Sequence, residues 1–138
     1  VRIGGGWNHR MGLYDMIMLK DNHIDYCGGL EQAIERACAY VQKYKPDLKI
    51  EVEPRSLEDV EKVLSVGKVH RIMLDNFSAD LLAQALRLIA GRFETEASGG
   101  IHLGNLEEYA ATGVDYISAG ALIHQAVSLD LSLKAVGS

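Results

Sequence analysis

Short apolar segments alternate with longer helical patterns about five times along this chain of 138 residues. Each apolar segment is long enough for one β-strand, and apolar residues at helical spacing follow it after a short loop. Repetition of a strand and then a helix is typical of right-handed βαβ units around a parallel sheet. The sequence therefore predicts an α/β fold, which is either a β/α barrel or a doubly wound sheet.

The boundaries of these segments follow from the polar residues that interrupt them. The predicted strands are 16–19, 48–53, 71–75, 93–97 and 114–118. The predicted helices run from 29 to a stop at 45–47, from 56 to 67, from 78 to 89 and from 105 to 112. Ser56-x-x-Asp59 resembles a capping box, Ser78 is a second predicted N-cap, and Gly67 is a predicted C-cap.

Two carboxylates favour the barrel over the open sheet. Glu51 and Glu53 share one face of a predicted strand, and charge on that face fits a polar barrel mouth better than a buried open sheet. A typical barrel has about 250 residues. We therefore predict an incomplete β/α (TIM-like) barrel with parallel strands, in which residues 1–138 form one partial catalytic domain. Because the chain opens at Val1 without Met, we expect it to belong to a longer protein.

Charge and hydropathy limit the partners of the chain. Lys and Arg number 14 and Asp and Glu number 19, which gives a formal charge of −5. No basic run interleaved with aromatic residues is present, and no apolar stretch reaches the roughly 18–20 residues of a membrane span. We expect neither nucleic acid nor a membrane as a partner. The sequence shows no secretory signal, so free thiols at Cys27 and Cys38 and a cytoplasmic location are expected.

Polar and glycine residues follow every predicted strand, at the edge where parallel α/β folds bind their ligands. His9, Arg10, Lys20 and His23 could hold an anion, and Glu53 and Asp75 could hold a divalent metal or sugar hydroxyls. Two glycine-containing segments offer backbone N–H groups to a phosphate. They are Ser98-Gly99-Gly100, which is expected to lead into the next helix, and Gly120-Ala121. These residues predict a phosphorylated sugar, a metal and a second, anionic substrate.

Each of these residues also has a simpler interpretation. Lys20 could be a solvated charge, and Glu51 could pair with a lysine. The glycines could serve tight turns only. His124, just past the Gly120 loop, fits either interpretation.

Several strings taken together resemble the quinolinate phosphoribosyltransferase family (carboxylating nicotinate-nucleotide pyrophosphorylase). They are Asn8-His9-Arg10-Met11-Gly12, Lys20-Asp21-Asn22-His23, Leu74-Asp75-Asn76-Phe77 and Glu96-Ala97-Ser98-Gly99-Gly100. The resemblance covers almost the whole chain in the right order. It implies transfer of phosphoribose from phosphoribosyl pyrophosphate to quinolinate, with decarboxylation, to give nicotinate mononucleotide, pyrophosphate and carbon dioxide in NAD synthesis.

The resemblance also implies a role for each candidate residue. His9, Arg10 and Lys20 would bind quinolinate. Glu53 and Asp75 would hold the ribose hydroxyls and Mg²⁺, with or without an intervening water, and Lys20, Glu53 and Asp75 would be catalytic. The phosphate would be bound by Ser98, Gly99, Gly100, Gly120 and His124.

The family pattern extends beyond this chain. The family has an N-terminal sandwich domain and a Thr-Arg-Lys-Thr-type segment that precede the matched region, and it forms homodimers or larger assemblies. We therefore expect little activity from the 138 residues alone. Two alternatives stay open: a phosphosugar- or nucleotide-binding module without catalysis, and a related phosphoribosyltransferase for another acidic base.

Overall fold

The computed structural model describes residues 1–136 and contains one parallel sheet of five strands. The strands are β1 (Met16–Leu19), β2 (Lys49–Val52), β3 (Arg71–Asp75), β4 (Glu94–Ser98) and β5 (Tyr116–Ile117). Their spatial order is their order in the chain, and each pairs in parallel with the next. The order does not reverse within the sheet, as it would in a doubly wound fold. The predicted parallel α/β architecture is confirmed, and the consecutive strand order agrees with an incomplete β/α barrel, which stays a prediction.

Helices connect the strands. After a 3₁₀ turn (Arg2–Gly4), they are α1 (Asp21–Cys27), α2 (Leu30–Tyr44), α3 (Leu57–Val66), α4 (Ala79–Ile89), α5 (Leu106–Ala110) and α6 (Ala121–His124). Consecutive helices pack on each other, α2 on α3 and α3 on α4. The predicted caps are present: the Ser56 hydroxyl accepts from Asp59 N–H at 3.2 Å, and the Ser78 hydroxyl accepts from Leu81 N–H at 3.3 Å. Gly67 ends α3 at φ 64°.

The two faces of the sheet differ in chemistry. One face supplies Ile50, Val52, Ile72, Leu74 and Ala97 to the core that the helices cover, and all five are 0–1% exposed. Because side chains alternate along a strand, Glu51, Arg71 and Glu96 lie on the other face. Glu51 and Glu96 are nevertheless 0% and 1% exposed. The face away from the core is therefore polar and buried, as expected for the interior of a barrel mouth.

The structure adds helices that the sequence pattern did not reveal. The residues after β1 were predicted as a polar strand end, but Asp21–Cys27 form α1, of which only Ile24 is buried. A helix of four residues, α6, follows Gly120. The last predicted strand is shorter than expected, with only Tyr116–Ile117 in the sheet. Within residues 1–136, no helix is both long and apolar enough to span a membrane.

Candidate active site

A cavity of about 910 Å³ lies at the carboxyl edge of the sheet. Three segments line it, and each approaches from a different part of the chain. The first precedes β1, the second follows β4 and the third contains the end of β5 and α6. Their lining residues are Val1, 6–10, 98–102 and 117–125. The cavity therefore forms where the sequence predicts that ligands bind.

Seven of the ten predicted site residues line this cavity. They are His9, Arg10, Ser98, Gly99, Gly100, Gly120 and His124. The other three, Lys20, Glu53 and Asp75, lie at the same strand edge but are not part of the cavity wall. The structure thus places the predicted phosphate-binding residues beside two of the predicted quinolinate-binding residues, with the predicted catalytic group outside that wall.

Lys20 and Glu53 form an ion pair at the ends of adjacent strands. Lys20 follows β1 and Glu53 follows β2, and Glu53 N–H donates to Leu19 C=O at 2.9 Å. Lys20 Nζ lies 3.2 Å from Glu53 Oε2, and the two side chains are 49% and 15% exposed. That buried oxygen has no hydrogen bond of good geometry in the described residues. The ammonium therefore supplies charge to Glu53 and leaves a lone pair of that oxygen available.

The turn after β4 exposes backbone donors. Gly99 and Gly100 have φ of 85° and 62°, and within residues 1–136 their N–H groups donate to no protein acceptor. Asn76, itself at φ 57°, fits closely against this turn: its N–H donates to Ser98 C=O at 2.9 Å, and its side-chain amide donates to Asp75 Oδ2 at 2.5 Å. The prediction that this turn leads straight into a helix is wrong, because α5 begins only at Leu106. The donors here are loop amides and not a helix N-terminus.

A buried polar network lies beneath the cavity on the face of the sheet away from the core. His9 Nε2 is 2.9 Å from Glu51 Oε2 and 3.4 Å from Glu96 Oε2. Arg71 donates to Glu96 Oε2 at 2.8 Å, and the Ser118 hydroxyl donates to Glu96 Oε1. The Arg71 guanidinium also stacks on the Tyr116 ring at 4.1 Å. The network therefore connects the segment before β1 to β2, β3, β4 and the end of β5.

Glu51 departs from its sequence-based interpretation, because its partner is His9 and not a lysine. Burial, together with the nearby Glu96 carboxylate, raises the pKa of Glu51 to about 8. Burial also lowers the pKa of His9, although Glu96 opposes this shift. Both shifts favour the uncharged forms at neutral pH. Their contact is then a hydrogen bond between the uncharged Glu51 carboxyl and the uncharged His9 ring.

His9, Glu51 and Glu96 also bring three ligand-type atoms within 4.8 Å of one another. In residues 1–136, they are the only group of three such side chains close enough to hold a metal ion. Arg71 already supplies a positive charge to Glu96. Among the described residues, Glu53 and Asp75, the predicted Mg²⁺ ligands, do not belong to such a group of three.

Comparison with known proteins decides the family. The family described as "Quinolinate phosphoribosyl transferase, C-terminal domain" matches residues 1–134. The chain belongs to this family. Among its relatives is the mitochondrial quinolinate phosphoribosyltransferase [decarboxylating] 2b of Nicotiana tabacum, which is 45% identical over 97% of this chain and 42% of the relative. The probable nicotinate-nucleotide pyrophosphorylase [carboxylating] of Bacillus subtilis is 44% identical over 96% of this chain and 45% of the relative.

Solved structures agree with the fold. NadC from Streptococcus pyogenes superposes with a TM-score of 0.87 at 45% identity, over 97% of this chain and 46% of that chain. The nicotinate-nucleotide pyrophosphorylase from Francisella tularensis gives 0.79 at 37% identity, over 88% of this chain and 41% of that chain. The chain thus spans less than half the length of these relatives. One plant relative is named as mitochondrial, so the cytoplasmic location stays a prediction.

Proposed function

We propose that the protein containing this chain transfers phosphoribose from phosphoribosyl pyrophosphate to quinolinate, with decarboxylation. The observation that carries the proposal is the arrangement around the cavity: the Arg10 guanidinium and the His9 ring on one wall, and, within residues 1–136, backbone N–H groups without a protein acceptor on the other. Family membership supports the same chemistry, since the relatives are named for it. The activity gives nicotinate mononucleotide, pyrophosphate and carbon dioxide, a step of NAD synthesis.

The wall before β1 suits an aromatic dicarboxylate. Arg10 presents a planar guanidinium that can bind one carboxylate through two parallel hydrogen bonds. Lys20, half exposed at the end of β1, adds a point charge from outside the cavity wall. His9, which immediately precedes Arg10 in sequence, supplies a ring nitrogen on the same wall as Arg10. These groups would offset the charge of quinolinate and orient its ring nitrogen.

The opposite wall suits the phosphate of the sugar. In the part of the chain that the structure describes, the N–H groups of Gly99 and Gly100 donate to no protein acceptor, and neither residue has a Cβ to limit close approach. Gly120 and His124 line the same cavity. An anion held by backbone amides gains directional hydrogen bonds without a long side chain having to be ordered. We assign the 5-phosphate of the sugar to this turn.

Glu53 and Asp75 fit a magnesium ion by donor type. Both offer carboxylate oxygens, which Mg²⁺ prefers, and a buried Glu53 oxygen keeps an unused lone pair. Bound there with the substrate's own oxygens, Mg²⁺ would neutralise the charge that develops on pyrophosphate as it leaves. The two carboxylates would in addition stabilise positive charge on the ribose ring.

The chemistry needs no covalent enzyme intermediate. The bond from the anomeric carbon to pyrophosphate breaks, and the quinolinate nitrogen forms a new bond to that carbon from the opposite side. The positive charge of the resulting pyridinium stabilises the electron pair that stays on the ring carbon when carbon dioxide leaves, and a proton from water then bonds to that carbon. The protein's part is to hold the two reactants in line and to match the charges that appear.

The test uses the full-length protein and carboxyl-labelled quinolinate. We expect nicotinate mononucleotide and labelled carbon dioxide in equal amounts. Lys20→Met should lower kcat/KM at least about tenfold, because hydrogen bonds to charged groups contribute about 1.5–3 kcal/mol. Lys43→Met is the matched control, because Lys43 lies exposed in the last turn of α2, just before β2 begins, and should leave kcat/KM unchanged.

Substrate choice separates the proposal from its alternatives. Turnover of nicotinate without release of carbon dioxide would point to a related enzyme for another acidic base. A third outcome would point to a binding module: calorimetry shows that phosphoribosyl pyrophosphate binds with Mg²⁺, but neither base is turned over.

Because the chain covers less than half of its relatives, we propose that the N-terminal domain and a homodimer or larger assembly complete the site.

A further inference from the structure

The segment that carries His9 and Arg10 has little structure of its own. Residues 5–15 contain turns and bends but no helix or strand, and Trp7 and Met11 are 87% and 76% exposed. Asp15 accepts from Met11 N–H at 2.7 Å, which closes the segment locally without attaching it to the sheet. Something beyond the local backbone must therefore hold His9 and Arg10 over the cavity.

The contact that attaches this segment to the sheet is made by His9. Its side chain is 24% exposed, and its Nε2 meets Glu51 at 2.9 Å across 42 residues of sequence. The receiving group is rigid, since Glu51 lies in the middle of β2 with 0% exposure. His9 is therefore held by a side chain that the packing of the sheet has already fixed.

Glu51, rather than Glu96, is the principal partner of His9. Both Glu96 oxygens are engaged, one by Arg71 and the other by Ser118, and Glu96 lies 3.4 Å from His9 Nε2. Glu51 lies closer, and its second oxygen is buried without a partner in the described residues. Loss of His9 would thus take away the closest hydrogen-bond partner of the Glu51 carboxyl in the described residues, which is costly inside a protein.

The hydrogen bond also determines which nitrogen of His9 faces outwards. Because Nε2 is taken by Glu51, Nδ1 is the atom left for a ligand, and within residues 1–136 it has no protein partner. We propose that Glu51 is a positioning residue that fixes the ring of His9, and with it the His9–Arg10 wall, for binding an aromatic dicarboxylate. The ligand class rests on the proposed function, whereas the fixed ring does not.

The first experiment reports on the ring and needs no substrate. Histidine nitrogens of the isotope-labelled full-length protein are observed by NMR, and His9 is assigned from the signal lost in His9→Asn. We expect wild-type His9 to show two well-separated nitrogen shifts of one tautomer. Glu51→Leu should bring them together, as in a freely exchanging imidazole, whereas Glu51→Gln, which keeps a hydrogen-bonding group, should keep them apart with a changed Nε2 shift.

The matched control removes a neighbouring carboxylate that does not touch His9. Glu94 lies on β4 and bonds to the same Arg71, so Glu94→Gln should leave the His9 shifts as in the wild type. Separated shifts in Glu51→Leu, or equal changes in Glu94→Gln, would overturn the proposal. If the far-UV circular dichroism shows that Glu51→Leu does not fold, the test rests on Glu51→Gln. A His9 Nε2 shift in Glu51→Gln equal to that of the wild type would then count against the proposal.

The second experiment separates binding from chemistry. In Glu51→Leu, KM for quinolinate should rise about tenfold, near the upper end for one hydrogen bond. The KM for phosphoribosyl pyrophosphate and kcat should change less than about twofold. A loss confined to kcat would overturn the positioning role. If the wild type does not turn over quinolinate, the proposed function fails, and the NMR result still decides whether Glu51 fixes His9.

Discussion

The turn after β4 allows a paired test of how closely the loops of the site fit together. Gly99 and Gly100 are adjacent, and both have left-handed φ, so alanine is strained at either position. A Cβ on Gly99 would also lie 2.7 Å from the backbone nitrogen of Asn76, whereas a Cβ on Gly100 would meet nothing within 4 Å. The pair therefore shares the backbone cost and differs in the steric contact.

The expected magnitudes follow from these two terms. Left-handed backbone costs an alanine about 1–2 kcal/mol. Forcing an extra methyl into a closely packed position adds about 1–3 kcal/mol. We therefore expect the free energy of unfolding to fall by about 1–2 kcal/mol in Gly100→Ala and by about 2–5 kcal/mol in Gly99→Ala.

Urea unfolding followed by circular dichroism measures both values. Fluorescence is a poor probe here, because Trp7 is 87% exposed. With an m-value of about 2 kcal/mol/M, the steric difference moves the midpoint by about 0.5–1.5 M. If the two variants unfold at the same urea concentration with unchanged m-values, the close fit of Asn76 against Gly99 is refuted.

Three further changes test the fold and the network. The pKa of Glu51 is about 8 in the folded protein and 4.5 ordinarily, so the folded state binds the proton more tightly. The free energy of unfolding of the wild type should fall between about pH 5 and 8, by at most about 1.4 kcal/mol per pH unit, and Glu51→Gln should flatten that slope; equal slopes would contradict the buried acid. Ala90 ends α4 at φ 52°, so Ala90→Gly should raise the free energy of unfolding, measured by thermal unfolding, by about 1 kcal/mol. The control Ala85→Gly, in the buried middle of α4, should lower it. Leu82→Ala, at 0% exposure, should cost about 2–5 kcal/mol in urea, and a cost below 1 kcal/mol would show that the core is not packed as described.

The strands and the long helices could be predicted because their signals are local. The stripe of buried residues on α2, which includes Ile34, Ala37 and Val41, follows helical spacing and needs no tertiary information. Helix α1 was missed because its N-cap, Lys20, is an unusual capping residue. Its N–H donates to the N3 side chain, His23 Nδ1, at 3.1 Å, which is half of a capping box with histidine in place of the usual Glu or Gln.

The candidate site could be located from sequence, but its inner partners could not. Arg71 was interpreted as an ordinary strand residue and Glu96 as part of a family string, because neither strand by itself shows which charged side chains it will meet. Their meeting depends on register, which pairs Glu51 with Arg71 and Met73 with Glu96. Charged residues at interior positions of three neighbouring strands are the signal that could have revealed the network.

The consecutive order of the strands has a consequence for the order of folding. Each strand pairs with the next strand in the chain, so the sheet closes shorter loops than any other order of these parallel strands would. The bond from His9 to Glu51 is different, because it joins an irregular segment to a strand 42 residues away. The wall of the cavity can therefore close only after the sheet exists, and it can open again while the sheet remains intact.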